Sequence, residues 1–152
     1  MNMTASERAF APEMEQYLRD SFSTLANSST IVNNVMGCGN MKQHQARQAL
    51  RWETDPFVFI QPPSNRRCAN FVGNVKCAFD ATSNSIEVDD TWFENFLNTG
   101  GGLLRTPKGR LVPGIGVGLL HALCHWGNFN NKVAEKKEMG FEFEQMTYGT
   151  TF

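Results

Sequence analysis

Residues 116–128 read GVGLLHALCHWGN. This apolar run predicts a helix over about 113–126, and Leu119, Leu120 and Leu123 spread over enough of its circumference to bury it. His121 and His125 stand four residues apart, so both imidazoles leave the same helix face and can converge on one point. Two nitrogens so placed can each reach a zinc ion at about 2.0–2.1 Å. A buried imidazole needs a partner for its polar nitrogens. A metal, a backbone carbonyl or a carboxylate would each meet that need. The third histidine, His44, lies in the polar run KQHQ and reads as a surface residue.

A second stretch bears on the choice. Residues 140–149, GFEFEQMTYG, belong to a helix predicted over about 138–148. Glu142 and Glu144 alternate there with Phe141 and Phe143, and Tyr148 follows. A carboxylate among aromatics is costly to bury unless it meets a positive centre. The alternative is that both glutamates are surface charges near Lys136 and Lys137. Two histidines and one distal carboxylate make three protein ligands and leave a fourth position open for water, the catalytic arrangement of zinc. Zinc in such a site polarises a scissile carbonyl and acidifies its water. A general base must then take the water's proton, and in H-E-x-x-H that base follows the first histidine. Here the position is Ala122, which cannot act as a base.

Outward from these stretches the chain reads as α+β. Pro12 suits the first turn of an amphipathic helix over 12–26, with Met14, Tyr17, Leu18, Phe22 and Leu25 on one stripe. Residues 27–42, rich in Asn, Ser and Gly, read as loop with a short helical turn, and 43–52 as a second helix. FVFI at 57–60 reads as a buried strand stopped by Pro62 and Pro63. Strand-like runs follow near 68–72 and 75–79, then SIEV at 85–88. Asp89 or Asp90 can cap a helix over 91–97 that buries Trp92, Phe93, Phe96 and Leu97, and NTGGG ends it. The expected order is two helices, a small meander and three helices.

At 152 residues the chain fits one domain, 1–152. A net charge of −1 with scattered basic residues gives no electrostatic footprint for nucleic acid. No run reaches membrane-spanning length. The N-terminal MNMTASERAF lacks the apolar core of a signal peptide. The four cysteines form no CxxC pair, which argues against a structural zinc knuckle. Cys68 and Cys77 flank ANFVGNVK, a possible hairpin that a disulfide could close.

LLHALCHWGN at 119–128 with GFEFEQMTYG at 140–149 resembles the zinc metallopeptidase toxin domains of bacterial polymorphic and type VI secretion effectors, whose signature looks like LLHELxHWGD followed by G-x-x-FE-x-x-x-YG. IEVDDTWFENF at 86–96 is a looser match. The resemblance implies a zincin-like domain with a small antiparallel sheet and an active-site helix. It implies zinc ligands His121, His125 and Glu144, and offers Tyr148 as a hydrogen-bond donor to the oxyanion. It places SIEV as an edge strand beside which a substrate lies by β-augmentation. The implied function is a zinc endopeptidase toxin, delivered into a target cell by a secretion system. It would act on a peptide or a peptidoglycan stem peptide, with a cognate immunity protein. Asn128 and Ala122 depart from the pattern, at its aspartate and its base. Ala122 fits an engineered Glu→Ala change that keeps a toxic protein expressible. The alternative is a natural pseudoenzyme, a non-catalytic zinc- or peptide-binding module.

Overall fold

A short helix α1 (Ala5–Phe10) is capped by Thr4, and Pro12 opens α2 (Pro12–Gln16). This computed structural model describes residues 1–61, 77–99 and 102–152. Beyond α2 the chain stays helical to Asn27 but changes pitch, through a π turn at Tyr17–Ser21 and a 3₁₀ turn at Phe22–Asn27. Met14, Leu18 and Phe22 all remain buried along this run, as their stripe requires.

Helix α3 (Ser29–Cys38) occupies the stretch expected to be mostly loop. Ser28 caps it, its hydroxyl accepting from the Ile31 N–H at 3.4 Å. Val32, Val35 and Cys38, three apart, are buried, so packing of one apolar face overrides the weak helix propensity of the Asn- and Ser-rich sequence. Helix α4 (Gln43–Ala49) follows.

Strands β1 (Phe57–Gln61), β2 (Cys77–Asp80) and β3 (Ser85–Asp89) form a sheet of order β1-β3-β2. β3 runs parallel to β1 and antiparallel to β2. This corrects two expectations. Among the described residues the sheet is mixed and no meander, because β2 adds to the far side of β3. SIEV is the central strand and no edge, since both its sides are taken by ladders and all five β3 residues are buried. The strand-like run near 68–72, and with it Cys68 of the suggested disulfide, lies outside the described residues.

Asp89 caps α5 (Asp90–Asn98), accepting from the Trp92 N–H at 3.0 Å. Phe93 is buried and Trp92 and Phe96 pack on the core, but Leu97 is 41% exposed. At helical spacing Leu97 falls at the margin of the stripe set by the other three. An unanticipated hairpin, β4 (Leu103–Arg105) with β5 (Leu111–Pro113), leads into α6 (Gly114–Asn130). Glu138 caps α7 (Met139–Tyr148), which ends at Gly149 in the left-handed conformation, φ 77°. Helices and strands are segregated, so the architecture is α+β.

The centre of the molecule is α6, with Leu119, Leu120, Ala122, Leu123 and Cys124 fully buried. Gly118 lets β2 approach it. A Cβ there would stand 2.8 Å from the Cys77 sulfur and 3.0 Å from the Trp92 ring. Phe129 on α6 meets Phe79 of β2, with ring centroids 5.2 Å apart. Residues 118, 122, 125 and 129 therefore form one helix stripe beneath β2. Gly118→Val should destabilise the fold by about 1–3 kcal/mol through overpacking. A lowered urea midpoint with an unchanged slope checks this.

Candidate metal centre

Two helices bring the site together. α6 supplies His121 and His125 one turn apart, and α7 packs against α6 with Gly140 directly under the His121 ring. Any Cβ at 140 would collide with that ring. His121 also meets Phe141 edge-on, with centroids 5.2 Å apart. The start of α7 thus contacts the histidine through both a glycine and an aromatic.

All four imidazole nitrogens face carboxylates. His121 Nδ1 lies 2.7 Å from Glu144 Oε1. His125 Nδ1 lies 2.8 Å from Glu135 Oε2 and 3.0 Å from Glu135 Oε1. The remaining nitrogens point at a single group. Glu138 Oε1 is 3.5 Å from His121 Nε2 and pairs closely with His125 Nε2. Donor atoms of His121, His125 and Glu138 all lie within 4.8 Å of one another, so one cation could be held by the three.

Each carboxylate is itself fixed. Glu138 is the α7 cap, accepting from Gly140 N–H at 3.2 Å and Phe141 N–H at 2.6 Å. Glu144 is 3% exposed, and its second oxygen accepts from the Phe152 N–H at 2.7 Å. Glu135 accepts from the Asn128 amide at 2.8 Å. Asn128 is buried, donates also to the Cys38 carbonyl at 2.8 Å, and accepts from Asn40 at 2.6 Å. An aspartate at 128 would set a second carboxylate against Glu135, so the departure from the toxin pattern suits this chain's own neighbour.

The sequence expectations fare differently. His121 and His125 converge. Glu144 reaches His121, but on Nδ1, and it is not one of the three clustered donors. Glu142 pairs with Lys137 at 2.9 Å on the surface. Tyr148 packs between Phe143 and Phe152, at centroid distances of 6.1 and 5.8 Å, and does not line the cavity at the histidines. Ala122 is fully buried on the stripe beneath β2. His44 is exposed. Sequence reasoning missed Glu138 and Glu135. Both lie in the polar NNKVAEKKE run, where only a cap position three residues before Phe141 marked Glu138.

The charges favour a cation. Burial works against the His121 imidazolium, but Glu138 and Glu144 outweigh it and hold the pKa up at about 9. Burial likewise opposes protonation of His125, and Glu138 and Glu135 again prevail and raise its pKa. Burial also penalises the Glu138 carboxylate, yet the two imidazoles hold its pKa well below the usual range. Protons on both imidazoles would offset two of the three carboxylate charges in the metal-free site. One divalent cation would supply the same charge, which is how the donor set fits a metal. A histidine whose folded pKa exceeds its unfolded value near 6.5 stabilises the fold fully below that value. That stability is lost as pH rises through the folded pKa. Chelator-stripped protein should therefore lose thermal stability between about pH 6.5 and 9, and His121→Asn should flatten that dependence.

The profile of the metallopeptidase toxin 3 family matches residues 9–149, nearly the whole chain. Comparison with curated proteins and with solved structures gave no match. The match contains both histidines, all three carboxylates and the helices α6 and α7, so the chain belongs to the metallopeptidase toxin 3 family.

Proposed function

We propose that this chain is a zinc endopeptidase domain of an antibacterial toxin, delivered into a target cell, whose general base is absent because Ala122 stands in its place. The observation that carries this reading is the convergence of both Nε2 atoms on Glu138, with a further carboxylate behind each Nδ1. His121, His125 and Glu138 are the ligands in this reading. The family name supports a metal-dependent peptidase, and zinc is favoured by two imidazoles and one carboxylate with a position left open.

Glu144 and Glu135 take a different role. Each accepts the Nδ1 proton of its histidine, which fixes the ring and the tautomer and leaves the Nε2 lone pair free for metal. This is a revision of the ligand role that resemblance gave Glu144. Tyr148, turned into the Phe143–Phe152 cluster, serves packing. Zinc, when bound, would polarise a substrate carbonyl and acidify its water. The protein's own task would be to take the proton from that water, and residue 122 adjoins His121 on the face toward β2.

A second reading, a metal-binding module that does not cleave, is favoured by the complete burial of Ala122 under β2. A glutamate there needs room between α6 and the strand. The cognate immunity protein expected for a toxin belongs to the first reading. Among the described residues no helix is long and apolar enough to cross a membrane, and the proposal calls for none.

Ala122→Glu separates the two readings. It should produce zinc-dependent peptide hydrolysis, since positioned proton transfer contributes about 10²–10⁴-fold. Chelation should abolish the activity and Ala122→Gln should not reproduce it. A folded, zinc-loaded Ala122→Glu protein without activity would favour the binding module.

Zinc titration of the chain as it stands tests the ligands. Uptake at pH 7 should release between one and two protons, because His121 with its pKa near 9 is protonated beforehand. Glu138→Gln should remove most zinc affinity, whereas Glu144→Gln should cost about 10–100-fold. Near-complete loss in Glu144→Gln with little loss in Glu138→Gln would exchange their roles.

A further inference from the structure

The histidine pair opens into a cavity of about 680 Å³ whose remaining wall is largely apolar. Phe141 lies at its His121 side, in edge contact with that ring. Phe129, one turn along α6 from His125, packs on Phe79 of β2, and both line the cavity together with Val133. Several of these side chains are unusually open for their type. Phe129 is 48% exposed, Phe141 44% and Val133 39%. Apolar rings left in water beside a catalytic-type metal cluster gain by covering, and the segment that reaches the cluster is the one placed to cover them.

The polar part of the wall is as informative. Glu135 and Glu138 line the cavity, and no Lys or Arg is among its described lining residues. A substrate carboxylate would meet the acidic Glu135 and Glu138 there.

We propose that this cleft selects an internal stretch of polypeptide with a large apolar side chain beside the scissile bond, seated against Phe129, Phe79 and Val133, and that Glu135 and Glu138 disfavour an acidic side chain at that place. The proposal rests on the metallopeptidase reading above and names its substrate class.

The test uses the chain as it stands, loaded with zinc, and a series of short peptide hydroxamates. The side chain next to the hydroxamate is benzyl, isobutyl, hydrogen or carboxyethyl, and binding is read by calorimetry. Benzyl and isobutyl compounds should bind roughly ten- to hundredfold more tightly than the hydrogen compound, the worth of burying one large apolar side chain. The carboxyethyl compound should be the weakest. Phe129→Ser should remove most of the apolar preference while leaving affinity for the hydrogen compound within about threefold. Phe129 is a surface side chain, so this variant should keep its fold, which circular dichroism verifies. Equal affinities across the series, tightest binding of the carboxyethyl compound, or an unchanged preference in Phe129→Ser would overturn the proposal.

Zinc content measured on the same samples tells the two failures apart. Zinc present with no side-chain preference, or with no hydroxamate bound, refutes the substrate class alone. Zinc neither bound nor taken up refutes the metallopeptidase reading, and the proposal with it. In the Ala122→Glu protein, mass spectrometry of cleaved protein should place cuts beside Phe, Leu or Met. Release of stem-peptide fragments from sacculi as the main activity would contradict the proposal.

Discussion

A buried imidazole nitrogen must have a partner, and here four such nitrogens are crowded onto two neighbouring turns of one helix. The structure meets that demand entirely with carboxylates. Glu144 and Glu135 stand behind the pair and Glu138 stands in front. The arrangement is costly without a cation, because three negative charges converge in a partly buried space. The raised pKa values of both histidines are the metal-free protein's answer to the same imbalance. Much else in the chain is the scaffold that brings those carboxylates to those nitrogens.

That scaffold depends on close approach at two glycines. Gly140 lets the start of α7 sit against His121, which places the cap residue Glu138 before both rings and Glu144 one turn further on. Gly118 lets β2 lie along α6, which makes the strand the wall of the cleft. Asn128 completes the set from below by holding Glu135, with α3 and the Asn40 turn as its own supports. Side chains so anchored keep their geometry without the metal, so the cost of ordering them is met in folding rather than in binding.

The sequence revealed the parts of this that are local. Helix α6 and its histidine pair follow from an apolar run with an i, i+4 spacing. The capped α5, the strand over residues 57–60 and the helix carrying Glu144 were equally legible, because caps and periodicity are short-range signals. The parts decided by tertiary packing were not legible. α3 forms from an Asn- and Ser-rich stretch because Val32 and Val35 find a core to join. β3 is central because β2 returns on its far side, which alternation within SIEV does not encode. Glu135 and Glu138 looked like members of a solvated charged run. Only the fold turns that run back over the histidines, and only then does the cap of α7 become a candidate ligand.

The central claim is that His121, His125 and Glu138 hold one metal ion while Glu144 and Glu135 hold the rings. A crystal structure of the zinc-loaded chain, with anomalous data at the zinc edge, tests it most directly. The account predicts a single peak bonded to both Nε2 atoms at about 2.0–2.1 Å and to a Glu138 oxygen at about 2.0–2.2 Å, with Glu144 still on His121 Nδ1. A zinc ion bonded to Glu144 in place of Glu138, or one that leaves either histidine unbound, would contradict it.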